Sequence, residues 1–176
     1  MTHRRRRWSV VSLLVVVLWL LGSLLQLQEA YAGGKKASGT GKVDAIQSQV
    51  KMYPGDHPQH EVTLTSRHDV WQSADPDWNN VQTHIVSYTD YNAGTGAHRG
   101  NGVGVRPSGD KTFSAYEGMT KTVTKPDGSS EVTFEGKLWL TGGTGKFTGI
   151  TGSGTYKGQL TKAGPTYEWE VEYEIK

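Results

Sequence analysis

The sequence contains no cysteine among its 176 residues. This absence excludes disulfide bonds, thiolate metal ligands, a cysteine nucleophile and a lipid-modified N-terminal cysteine. Proline and methionine are also scarce, at six and three residues, whereas glycine contributes 23. A chain of this length forms one domain, with or without a tail, and buries about two thirds of its unfolded surface. Packing alone can therefore hold such a fold together.

The chain also carries little net charge. It carries 19 Lys+Arg against 17 Asp+Glu, for a formal charge of +2, and four of the arginines form the block Arg4–Arg7. Without residues 1–32, which hold those four arginines and one glutamate, 15 basic and 16 acidic residues leave a net charge of −1. A general nucleic-acid binder needs a basic patch to neutralise phosphates, so we expect no nucleic-acid partner.

The first 32 residues have the organisation of a secretory signal peptide. The arginine block precedes the apolar stretch Val10–Leu25, and Ala30-Tyr31-Ala32 supplies small residues at the two positions that signal peptidase reads. We predict cleavage after Ala32, a mature chain that begins at Gly33, no remaining membrane span, and an exported protein, periplasmic or secreted. The alternative is an uncleaved anchor, because the apolar segment approaches the roughly 20 residues that span a bilayer.

The rest of the chain is predicted to be all strand. Residues 33–42, rich in Gly, Lys and Ser, are interpreted as a flexible leader, and residues 43–176 as a single domain. The run Tyr167–Lys176 alternates strictly, with aromatic and β-branched residues on one face and charged residues on the other. Similar alternation and turn signals predict eight strands, near residues 43–53, 61–71, 81–91, 99–106, 111–124, 130–141, 151–161 and 167–176.

An eight-stranded antiparallel meander closes most naturally into a β-barrel, which leaves no exposed edge strands; a sandwich is the alternative. Glycines inside the strand patterns favour the barrel, since they occur where strands bend or approach closely. They are Gly118, Gly136, Gly152, Gly154 and Gly158. We therefore predict a closed eight-stranded antiparallel barrel preceded by a cleaved signal peptide.

The stretch Phe134–Gly154 resembles the barrel signature of the allene oxide cyclase and dirigent proteins. A strand ends there in the turn Gly142-Gly143-Thr144-Gly145, an aromatic residue (Phe147) follows, and a Gly-rich strand comes next. The similarity extends over Val81–Lys176. It implies a small barrel with an apolar cavity, a homo-oligomer in many members, and action on hydrophobic small molecules. No catalytic residue of that superfamily can be placed on this chain.

The lumen of an eight-stranded barrel holds packed side chains or one small ligand. The aromatic residues expected to line it, as core or as a ligand site, are Tyr88, Tyr116, Trp139, Tyr156, Tyr167, Trp169 and Tyr173. The acidic turn Asp75–Trp78 carries a tryptophan that, if exposed, would rim the mouth of the cavity. No nucleophile elbow, helix-borne metal motif or dinucleotide fingerprint occurs, so we expect neither a metal ion nor a cofactor.

The candidates for acid–base chemistry are His68, His84 and Glu117, which share strand faces with apolar residues. Three functions remain open at this point. The first is an exported barrel that binds a small hydrophobic molecule in its cavity. The second is a cofactor-free cyclase or isomerase of the allene oxide cyclase or dirigent type, which is motivated by the resemblance alone. The third is a structural, oligomerising barrel with a packed interior.

Overall fold

The computed structural model describes residues 34–176, which form a closed eight-stranded antiparallel β-barrel. Each strand pairs with its neighbours in sequence, and β1 pairs with β8 to complete the ring. The strands are β1 (Lys35–Met52), β2 (His60–Gln72), β3 (Val81–Asn92), β4 (Thr95–Val105), β5 (Lys111–Thr124), β6 (Ser130–Gly143), β7 (Ile150–Thr161) and β8 (Gly164–Ile175). The predicted fold class is confirmed, and the sandwich is excluded. The predicted signal peptide and its cleavage residues Ala30, Ala32 and Gly33 lie outside the described residues.

The segment interpreted as a flexible leader is instead the strand that closes the barrel. Residues 35–42 pair with residues 166–173 of β8. Small residues are needed here because the aromatic side chains of β8 lie directly over this part of β1. A Cβ atom at Gly39 would come within 2.9 Å of the Trp169 ring, and one at Gly41 would come within 2.6 Å of the Tyr167 hydroxyl. The glycine content therefore reflects close packing and not flexibility.

Each strand turns one set of alternate residues into the barrel and the other set outward. On β2 and β3 the odd-numbered residues face inward, so that Thr63, Asp69 and Ile85 are buried whereas Leu64 and Val86 are 51% and 52% exposed. On β4, β5 and β6 the even-numbered residues face inward. Strands β1 and β8 again bury odd-numbered residues, including Ala37, Trp169 and Tyr173.

One end of the barrel is closed by a group of side chains that we call the plug, made of Trp78, Arg106, Phe147 and Tyr173. Trp78 is completely buried, and its indole Nε1 donates to the hydroxyl of Tyr173 at 3.3 Å. The Arg106 guanidinium carbon lies 4.8 Å from the ring centre of Trp78 and 3.7 Å from that of Phe147. Its Nε donates to the backbone oxygen of Asp77 at 2.7 Å. Trp78 thus seals the barrel and does not rim a mouth.

The plug residues come from three loops at one end of the barrel and from β8. Trp78 lies between β2 and β3, Arg106 follows β4, and Phe147 ends the 3₁₀ turn Gly145–Phe147 between β6 and β7.

No helix in residues 34–176 has the length and hydropathy of a membrane-spanning segment.

Candidate functional site

A cavity of about 240 Å³ occupies the lumen above the plug. Its apolar lining includes six residues from five strands: Trp71, Ile85, Phe134, Leu138, Leu160 and Trp169. Leu160 is also 53% exposed, so the cavity reaches solvent at the end opposite the plug. The volume approaches the roughly 300 Å³ at the lower end of ligand pockets. The lumen therefore has room for one small molecule.

Two larger depressions, of about 870 and 750 Å³, lie on the outer wall. Their floors include charged residues of β6, β7 and β8, such as Glu135, Lys157 and Glu168. A binding site for a small molecule is normally concave and mostly apolar, with a few well-placed polar groups. The lumen fits that description better than the outer depressions, whose linings have a larger polar share.

One polar group of the lumen is an ion pair with two aromatic partners. Arg67 donates from Nε to Oδ1 of Asp69 at 2.9 Å and from Nη2 to Oδ2 at 3.3 Å. Tyr167 donates its hydroxyl hydrogen to the same carboxylate at 2.8 Å, and Nε1 of Trp71 donates to the Tyr167 oxygen at 2.8 Å. Asp69 is completely buried. These contacts satisfy a carboxylate that would otherwise be costly to bury.

A second polar group is a chain of hydrogen bonds through His98. Nε2 of His98 lies 2.6 Å from the Tyr156 hydroxyl, and Nδ1 lies 3.0 Å from Oγ1 of Thr120. The Tyr91 hydroxyl lies 2.7 Å from the same threonine oxygen. Burial, aided by the positive charge of Arg67, lowers the pKa of His98 to about 4. The imidazole is therefore neutral at pH 7, with one nitrogen as donor and the other as acceptor.

Two glycines make room for Tyr156 within the lumen. Gly118 on β5 pairs with Gly136 on β6, which in turn pairs with Tyr156 on β7. A Cβ at Gly118 would lie 2.6 Å from the Tyr156 hydroxyl and 2.7 Å from Nε2 of His98, and one at Gly136 would lie 2.7 Å from Cζ of Tyr156. The tyrosine ring thus lies flat over two side-chain-free positions, where it can reach His98 on β4.

The lumen tyrosines are held in their protonated state. Burial raises the pKa of Tyr116, Tyr156 and Tyr91. Burial, reinforced by the negative charge of Asp69, raises that of Tyr167 further. The Tyr116 hydroxyl packs over Gly100, near Ser87 on β3, and has no hydrogen-bond partner among the described groups. At neutral pH these phenols are hydrogen-bond donors and not bases.

The structure brings together four of the seven aromatic residues proposed for ligand binding. Tyr116, Tyr156, Tyr167 and Trp169 line the cavity. Tyr173 faces inward but belongs to the plug, beyond the cavity.

The two remaining aromatic residues of that set lie on the outer wall, on the faces of their strands opposite the lumen. Trp139 lies between the buried Leu138 and Leu140 on β6 and points the other way. Tyr88 follows the buried Ser87 on β3, and its hydroxyl donates to Oδ2 of Asp90 on the outer wall at 3.3 Å. Neither side chain lines the cavity.

The three acid–base candidates also lie on the outer wall. His68 and His84 are cross-strand partners on β2 and β3, with ring centres 3.8 Å apart. Glu117 is exposed and lies opposite Lys137 on β6. Strand alternation explains these positions, because each of the three directly adjoins an inward-facing residue: Asp69, Ile85 and Tyr116. None of the three lines the cavity.

Three residues that give the lumen its polar character were not predicted from the sequence: Arg67, Asp69 and His98. On β2 the apolar residues Val62, Leu64 and Val70 face outward, whereas the inward face carries Thr63, Thr65 and the ion pair. Apolar character therefore indicated the wrong side of this strand. A usable signal was Trp71, whose odd-numbered position marks the inward face.

The sequence matches no family model and no curated protein. Within residues 34–176, no three His, Asp or Glu side chains are grouped as a metal site would require.

Proposed function

We propose that this protein is an exported β-barrel that binds one small, largely apolar molecule in its lumen. The observation that carries the proposal is the cavity of about 240 Å³, which is lined mainly by apolar surface and is closed at one end by the plug. A barrel with a purely structural role gains nothing from an unfilled interior, because each void forfeits packing contacts. Export rests on the signal peptide predicted for residues 1–32.

Binding without turnover fits the lumen better than acid–base catalysis does. Asp69 already accepts three hydrogen bonds, from Arg67 and Tyr167. His98 is a weak base because burial lowers its pKa to about 4. An efficient general base has a pKa near the working pH. A cyclase or isomerase of the allene oxide cyclase or dirigent type stays a second hypothesis, and it would have to use these inward groups and not His68, His84 or Glu117.

The test is native mass spectrometry of the mature protein isolated from its own cell envelope. A second sample carries Ser87→Phe, which places a ring in the lumen, because Ser87 is 3% exposed and lines the cavity. The matched control is Val86→Phe, one residue away on the outer face, at a position that is 52% exposed. We expect wild type and the control to carry a small apolar molecule and Ser87→Phe to be empty. Wild-type protein that is repeatedly empty would contradict the proposal.

The same material tests export. N-terminal sequencing should begin at Gly33; a chain that keeps residues 1–32 would show that the segment is an anchor. The homo-oligomer implied by the resemblance stays a prediction, to be read from the same spectra.

A further inference from the structure

The guanidinium group of Arg67 is only partly used by the protein. Nε and Nη2 bind the carboxylate of Asp69. No described group accepts from Nη1, and this nitrogen is not among the buried unpartnered atoms, unlike Nη2 of Arg106. The side chain is 24% exposed and lines the cavity. The third nitrogen of Arg67 is therefore an accessible, unused donor on a side chain that lines the lumen.

The side chains that line the lumen, together with Asp69, carry no net charge. Among the described residues that line the cavity, Arg67 alone carries a permanent charge, and Asp69 cancels it at hydrogen-bond distance. Burial opposes the charge of Arg67, but Asp69, with Tyr116 and Tyr167 close by, raises its pKa above the ordinary value. His98 and the tyrosines are uncharged, as described above. An anionic guest would bring a second negative charge next to Asp69 with no further cation to balance it.

We propose that the lumen selects small uncharged molecules with an apolar body of one or two rings and one oxygen acceptor bound by Nη1 of Arg67. This inference rests on the proposed function and specifies its ligand class. The acceptor is a ketone, aldehyde, ether or hydroxyl oxygen. A carboxylate or phosphate is disfavoured even though an arginine is present, because the arginine is already neutralised.

The size of the cavity sets the size of the apolar body. An engineered protein cavity of about 150 Å³ holds benzene, and the lumen offers about 240 Å³. One substituted ring fits well, and two fused rings approach the limit. Aromatic guests have a further advantage, because the aromatic residues Trp169 and Tyr167 line the cavity and aromatic pairs attract each other beyond the area they bury.

Three probes of nearly equal shape test the inference: acetophenone, cumene and benzoate. Each is a benzene ring with a three-atom branched substituent, which is respectively a neutral acceptor, purely apolar and anionic. Binding to the mature protein is measured at pH 7 by NMR titration. We expect benzoate to bind at least tenfold more weakly than acetophenone.

The role of Arg67 is tested by the ratio of the dissociation constants of acetophenone and cumene. Both probes contain the same benzene ring, so the contribution of that ring to binding largely cancels in the ratio. Arg67→Lys keeps the positive charge beside Asp69 but lacks the planar fork that leaves one nitrogen free. We expect this variant to lose about tenfold in preference for acetophenone over cumene, the loss of one hydrogen bond to a charged donor. Arg67→Met/Asp69→Leu, which removes both charges, provides the same test if Arg67→Lys does not fold.

The outcomes separate the two proposals. If none of the three probes binds, the proposed function fails. If cumene binds but acetophenone gains nothing from Arg67, or if benzoate equals or exceeds acetophenone, the lumen binds ligands and the inference about their class is wrong. Retained cumene binding in each variant shows that the barrel is intact.

Discussion

Replacing Asp69 with asparagine should destabilise the barrel more than any other change of a single carboxyl group. The substitution keeps the size of the side chain but leaves the charge of Arg67 without its counter-ion and places an amide nitrogen where Arg67 donates. Breaking one side of a buried ion pair costs about 3–5 kcal/mol. Arg67 is 24% exposed to the lumen, and water there moderates the cost. We therefore expect a loss near the lower limit, about 3 kcal/mol.

The assay is urea unfolding at pH 7, followed by tryptophan fluorescence and circular dichroism. Glu117→Gln is the control, an identical chemical change at an exposed position of the outer wall, which should cost less than about 0.5 kcal/mol. Removing both charges with Arg67→Met/Asp69→Leu should restore stability to within about 1 kcal/mol of wild type. If Asp69→Asn costs no more than the control, the ion pair does not stabilise the lumen as argued.

Gly41→Ala should destabilise by about 1–3 kcal/mol through its clash with Tyr167, and by much less in a Tyr167→Leu background. A neutral effect in both backgrounds would mean that residues 35–42 do not pack against β8. Because the pKa of His98 lies below its ordinary 6.5, the unfolded chain takes up the proton first, and stability falls as the pH drops from 6.5 to about 4. The contribution is at most roughly 3 kcal/mol, reduced by water in the lumen; His98→Gln should flatten this part of a pH–stability curve, and parallel curves would refute it. Trp78→Ala should cost about 3–5 kcal/mol in urea unfolding, and Trp139→Ala, on the outer wall, clearly less; equal costs would argue against the plug.

The strand count and the closure of the sheet could be predicted from the sequence because alternation and turn residues are local signals. The run from Tyr167 to Ile175 alternates so strictly that its buried face is evident. Residues 35–42 could not be assigned in the same way. Their glycines are required by aromatic rings about 130 residues away in the chain, and a composition window cannot distinguish such packing from flexibility.

The candidate site could be predicted only in part, because alternation gives the period of a strand and not which face turns inward. On β8 the inward face is apolar, and Tyr167 and Trp169 were placed correctly beside the cavity. On β2 the inward face is polar, because Arg67 and Asp69, two residues apart on this strand, satisfy each other, and Tyr167 of β8 donates to the same carboxylate. The contact with Tyr167 forms only when β2 and β8 meet after folding, so hydrophobicity alone assigns the two faces of β2 in reverse.

Occupancy of the lumen by a small apolar molecule can be observed through the indole NMR signals of the mature protein. Trp71 and Trp169 line the cavity, whereas Trp139 lies on the outer wall as an internal control. We predict that titration with cumene shifts the Nε1–H resonances of Trp71 and Trp169 in a saturable manner and leaves that of Trp139 in place. If saturating cumene shifts neither lumen indole signal, or shifts that of Trp139 alone, the lumen is not a binding site for small apolar molecules.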